Sequence, residues 1–75
     1  MEVAITNLQM NKKYLISYFD EYKIPIKIIE LGCLKGNSIQ LIGKAPLGDP
    51  FLFKIDGNRI AIRKNLAQII FANPA

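Results

Sequence analysis

The sequence has no histidine, no tryptophan and a single cysteine, Cys33. Without histidine the chain lacks the commonest general base near neutral pH and the commonest transition-metal ligand. One cysteine cannot close an internal disulfide, whereas small secreted domains usually carry several, so the thiol content fits a reducing compartment. Long hydrophobic runs are missing too: the apolar streaks are a few residues each, far below the roughly 20 needed to span a bilayer. The N-terminus has neither the basic nor the apolar region of a secretory signal. A cytoplasmic location without membrane insertion is the expectation. No nucleophile sits beside a base, no glycine-rich phosphate loop is present and no metal-ligand spacing occurs. The expectation is therefore no enzyme, with no catalytic residues, no cofactor and no metal site.

What is present suits a small folded module of 75 residues, 51% hydrophobic and 21% charged. A chain of this length buries only about 60 to 65% of its unfolded-state surface and has no material for a second core. Residues 1–75 are accordingly read as one domain, with no internal repeat, low-complexity segment or linker. Tyr14 to Phe19 carries the β-branched and aromatic residues of a strand. Pro25 followed by Ile26 to Leu31 and then Gly32 reads as a short helix with proline at its first position and glycine just past its end. Ile39 to Ile42 begins an extended segment. Phe51, Phe53 and Ile55 alternate with Leu52, Lys54 and Asp56, and Ile60 and Ile62 with Arg59, Ala61 and Arg63. Asp56-Gly57-Asn58 between them signals a hairpin, with Gly57 and Asn58 taking the positive φ of a tight turn. Lys64 to Ile70 offers one helical turn, Ile69 to Phe71 a closing strand, and Asn73 to Ala75 a frayed tail. The sum is mainly β: a small barrel of about five strands with two short helical segments, closed so that no sheet edge is exposed.

The segment Ala45-Pro46-Leu47-Gly48-Asp49-Pro50 concentrates turn formers between two strands. Its prolines fix φ, Gly48 permits a turn, and Asp49 is placed to bond nearby backbone amides. Three pieces in order, Glu30-Leu31-Gly32 followed by Gly36, then Ala45 to Pro50, then Arg59 to Lys64 running into Leu66, Ala67 and Ile70, resemble the FeoA family, the ferrous iron transport protein A type. The resemblance spans roughly residues 28–71 and implies an SH3-like barrel. Where that family commonly has a proline before the second glycine of the turn, this chain has Lys35, and the N-terminal part matches only by pattern. The resemblance further implies an accessory or regulatory protein working with a FeoB-type membrane ferrous iron transporter, whose cytosolic part contains a GTPase domain. Leu47, Gly48 and Asp49, with Arg59 and Arg63 as a basic edge, are the candidate partner contacts. The same barrel resembles the C-terminal domain of iron-dependent repressors, but this chain lacks a helix-turn-helix and could not repress alone.

Other candidates read as structural. Cys33 is a small core residue, since one thiol without histidine makes a poor soft-metal site. Asp20 and Glu21 form a solvated carboxylate pair. Tyr14, Tyr18 and Tyr22 are expected in the core or half-buried on strands. The net charge of +4 would permit nucleic-acid binding, yet the basic residues spread from Lys12 to Lys64 without a cluster, so no nucleic acid is expected. A stand-alone nucleic-acid-binding barrel is the alternative reading. A free edge strand would leave room for weak self-association.

Overall fold

In the computed structural model, which describes residues 1–75, the chain forms β1 (Val3–Ala4), β2 (Tyr14–Tyr18), α1 (Ile26–Glu30), β3 (Ser38–Lys44), β4 (Phe51–Ile55), β5 (Asn58–Ile62), α2 (Lys64–Ala67) and β6 (Phe71–Pro74). Single 3-10 turns occupy Ile5–Asn7 and Glu21–Lys23. The strands pair antiparallel in one sheet of order β1-β6-β2-β3-β4-β5.

Alternation decides which side chains turn inward. Ile39 and Leu41 of β3, Phe51, Phe53 and Ile55 of β4, and Ile60 and Ile62 of β5 are all buried, as a period of two requires on a sheet with one covered face. Extra residues at Ser17 in β2 and Ile42 in β3 shift the register. Such bulges bend their strands and increase the local twist, which curls the sheet round its core. The curl does not close: β1 and β5 end the sheet and do not pair with each other. The expected small barrel is present, with six strands rather than about five and with exposed edges at β1 and β5. Buried Ile5, Ala67 and Ile70 pack into the core, and the Ile5 N–H donates to the Ile70 carbonyl at 2.9 Å.

The structure departs from the sequence reading at several further points. β1 was not foreseen, because two residues carry no period. The expected frayed tail is paired instead, with Asn73 opposite Leu15 and Pro74 opposite Tyr14, so the last strand runs past Phe71 rather than ending there. In the hairpin, positive φ falls on Asp56 (48°) and Gly57 (84°), one residue earlier than expected. Asn58 is then free to be the first strand residue, opposite Ile55. Pro25 lies just before α1 with an extended ψ of 134°. Gly32 does end the helix: its N–H donates to Ile29 and the Cys33 N–H to Ile28, which satisfies carbonyls that the helix end leaves open.

Gly32 also sets how α1 meets the sheet. At φ 115° it lies so close to the β4–β5 turn that an added Cβ would stand 3.1 Å from the Asp56 Cβ. The Asn58 amide donates to the Leu31 carbonyl at 2.9 Å and the Asn37 amide to the Gly32 carbonyl at 2.7 Å. Gly36 also has positive φ, but nothing lies within 4 Å of its missing Cβ. Gly36→Ala is thus expected to cost about 1 kcal/mol, the left-handed backbone term alone, and Gly32→Ala about 2–3 kcal/mol because steric displacement adds to it. Urea unfolding of the two variants checks the order; equal losses would show that the Asp56 contact yields freely.

Candidate functional site

The loop joining β3 to β4 is tied down at its base and at its turn. The Ala45 N–H donates to the Pro50 carbonyl at 3.0 Å, and the Gly48 N–H to the Ala45 carbonyl at 2.8 Å. The Asp49–Pro50 peptide is cis, and Gly48 takes a φ of 88°. Leu47 sits at the tip with 98% of its surface exposed. Asp49 turns the other way: Oδ1 accepts the Lys64 N–H at 2.8 Å, and Oδ2 lies 3.9 Å from the Arg63 guanidinium. The carboxylate thereby serves as a cap for α2 contributed from fifteen residues earlier in the chain, where an anion is favoured by the unpaired N–H groups. The exposed pairing with Arg63 is worth little by itself.

Of the five candidate contact residues, Leu47, Gly48, Asp49 and Arg63 come together at one end of β5. Arg59 does not join them. It lies next to the hairpin turn, four residues from Arg63 along an extended strand, or roughly 13 Å. Its neighbour is Lys54, directly opposite on β4, which in turn faces Gln40 of β3. Lys13, Ser38, Gln40, Lys54 and Gly57 line a polar hollow of about 210 Å³. A second hollow of about 300 Å³ lies nearer the loop, lined by Gly43, Pro50, Leu52 and Ala61 among others. Strand pairing brings three of the basic residues that look dispersed along the chain, Lys13, Lys54 and Arg59, to this outer face. Lys13 and Lys54 were missed as site residues, although Lys54 was legible once the hairpin register was drawn.

The tyrosines divide. Tyr14 is buried, but Tyr18 is 57% and Tyr22 91% exposed, so the expected burial of these two is corrected. Tyr18 follows the bulge in β2, beside Phe71 with ring centroids 6.4 Å apart. Tyr22 lies on the 3-10 turn, where it flanks a shallow apolar groove with Ile24, Ile26 and Ile29. Cys33 is fully buried and unpaired, and burial raises its thiol pKa from the ordinary 9.0 to about 11. Nowhere do three or more carboxylate or thiol side chains gather as a metal-binding group.

An open six-stranded antiparallel sheet capped by short helices is the architecture of a small SH3-like barrel. A Stenotrophomonas maltophilia FeoA described as a prokaryotic SH3 domain protein superposes with a TM-score of 0.73 at 23% identity, over 97% of this chain and 89% of that one. The chain belongs to the FeoA family, non-enzymatic accessory proteins associated with ferrous iron transport, and matches the FeoA domain over residues 3–74. A FeoA-like protein from Clostridium acetobutylicum is 27% identical with a TM-score of 0.82, covering 97% of this chain and 86% of its own. The Chlorobium tepidum FeoA gives a TM-score of 0.86 at 22% identity, over 96% and 70%. No curated protein sequence matches the chain.

Two outcomes test the site's architecture. Asp49→Ala is expected to lose about 1–2 kcal/mol of stability, the worth of a helix cap, whereas Leu47→Ala changes stability by less than about 0.5 kcal/mol; chemical denaturation of both reads the difference. Cys33 makes stability pH-dependent on the alkaline side. The unfolded chain loses the thiol proton near pH 9.0 and the folded chain near 11, so this contribution is complete below pH 9 and falls as pH rises towards 11. The drop should be about 2–3 kcal/mol, and Cys33→Ala should unfold with a correspondingly shallower loss across that window.

Proposed function

We propose that this protein is a cytoplasmic accessory subunit that binds the cytosolic, GTPase-bearing part of a FeoB-type ferrous iron transporter and modulates iron uptake. The 75 residues act as one binding unit. The observation that carries the reading beyond family membership is Leu47: a fully exposed apolar side chain on a loop braced by two backbone hydrogen bonds and the Asp49 contact with α2. A rigid loop loses little entropy on docking, so its apolar tip can enter a partner pocket at low cost. Gly48 gives that loop its turn, and Arg63 and Arg59 extend the contact along β5. No helix is long and apolar enough to cross a membrane, and iron itself passes through the transporter rather than through this chain.

The nucleic-acid alternative draws less support. Sequence-tolerant binding of single strands combines cations with exposed aromatic rings on one surface. Here the exposed rings of Tyr18 and Tyr22 lie beside β6 and α1, while Lys54 and Arg59 face each other across β4 and β5 and no aromatic side chain lines the hollow at Lys54.

The test is a calorimetric titration of the wild type and Leu47→Asp into the transporter's purified cytosolic domain, with and without guanine nucleotide. Saturable binding by the wild type, weakened at least about tenfold (1.4 kcal/mol) in a Leu47→Asp variant of unchanged melting temperature, is the expected result. Equal affinities would remove Leu47 from the contact, and absence of binding by the wild type would remove the cytosolic domain as the partner.

A further inference from the structure

β5 ends the sheet, and its outer edge is open. Across a two-residue turn, Asn58, Ile60 and Ile62 direct their ladder bonds to β4, so the N–H and C=O groups of Arg59 and Ala61 point outward. No backbone bond outside the ladder reaches either residue. Both are exposed, and no helix covers them.

Cations beside an open edge discourage its pairing with a second, equally basic copy. Lys54 and Arg59 stand directly opposite each other, an unfavourable like-charge pair that no carboxylate relieves. The molecule's one ion pair is between Arg63 and Asp49. Two residues beyond Arg59, Ala61 and Leu52 form part of the apolar hollow of about 300 Å³. Along the edge the order is therefore cation, apolar hollow, cation.

We propose that the β5 edge receives an extended acidic segment of a partner protein as an added antiparallel strand, with alternate side chains reading acidic, apolar, acidic against Arg59, Ala61 and Arg63. Main-chain bonds supply the pairing and the alternate side chains the selectivity. Charge complementarity selects this occupant over a second copy of the chain. Two β5 strands paired antiparallel about Ala61 would set Arg59 of each against Arg63 of the other, which repels. The proposal rests on the reading that this face meets a partner, but its test does not need the transporter.

The probe is a fluorescein-labelled, end-blocked peptide of threonines carrying Glu-Thr-Leu-Thr-Glu at its centre, followed by fluorescence anisotropy against the whole protein. A shuffled peptide of equal charge and an N-methylated version that cannot pair along the edge serve as controls. Saturable binding is expected, weakened at least about tenfold by N-methylation, by shuffling and by Arg59→Glu. Ala61→Pro, which removes an outward N–H but no ladder bond, should do the same; the N-methylated peptide keeps the test decisive if that variant unfolds. Amide resonances of Arg59 and Ala61 should shift on binding. Equal binding of the shuffled or N-methylated peptide would overturn strand addition, as would β5-dependent dimers in sedimentation, or tighter binding of RNA or anionic vesicles at Arg59. A transporter domain that binds while the peptide does not would overturn this mode and leave the proposed partner standing. The converse would support the mode and remove that partner.

Discussion

The close approach of Gly32 to the β4–β5 turn, open only to a residue without a side chain, lets the Asn58–Leu31 and Asn37–Gly32 bonds join α1 to the sheet. α1 has five residues and none of them is buried, and a helix this short does not persist in water on its own. It stands because Ile28 and Ile29 pack against the core and its C-terminal turn is held to the β4–β5 hairpin by the Asn58 bond to Leu31. The consequences run in both directions along the chain. Cys33, immediately after the glycine, is carried into the core. Asn37 bonds back to Gly32, while Gly36 and Asn37 exchange backbone bonds with Ile16, which aligns β3 beside β2. A side chain at position 32 would push these elements apart together rather than one at a time.

Local signals in the chain were legible where neighbouring residues cooperate. The hairpin and the glycine that stops α1 each follow from residues within a few positions, where turn chemistry acts directly, whereas Asp49, expected to bond nearby amides, accepts the Lys64 N–H fifteen residues away. What escaped was non-local. β1 exists only because Val3 and Ala4 find Ala72 and Phe71, and the C-terminal residues are ordered only because β2 offers them a free edge. Tyr18 followed the strand pattern but sits just beyond the bulge at Ser17, where one extra residue reverses the side-chain alternation. Tyr22 lies on a turn with no period to place it. The candidate site shows the same division. The loop was visible as a unit, whereas the approach of Lys54 to Arg59 required the register of the hairpin and the separation of Arg59 from Leu47 required the length of β5.

Asp49 shows how a structural role and a binding role share one loop. Its carboxylate is occupied by Lys64 and Arg63, so it is not offered to a partner as a free charge. Its work is to hold the loop while Leu47 protrudes. Fixing the tip in advance moves the ordering cost from the binding step to folding, and folding has the core to offset it.

The core and the outer face divide their tasks cleanly. No polar or charged side chain is buried, and no buried polar side-chain atom lacks a partner. The one ion pair is long and exposed, so attraction between charges adds little to the fold. Stability therefore rests on apolar burial and on backbone pairing. A fold that does not need its surface charges can carry an unfavourable arrangement of them, such as Lys54 beside Arg59, at the cost of a fraction of the roughly 1 kcal/mol such pairs are worth. Screening by salt would relieve that repulsion slightly while weakening any attraction to an acidic partner. Ionic strength should thus act on what this face meets far more than on the barrel that presents it.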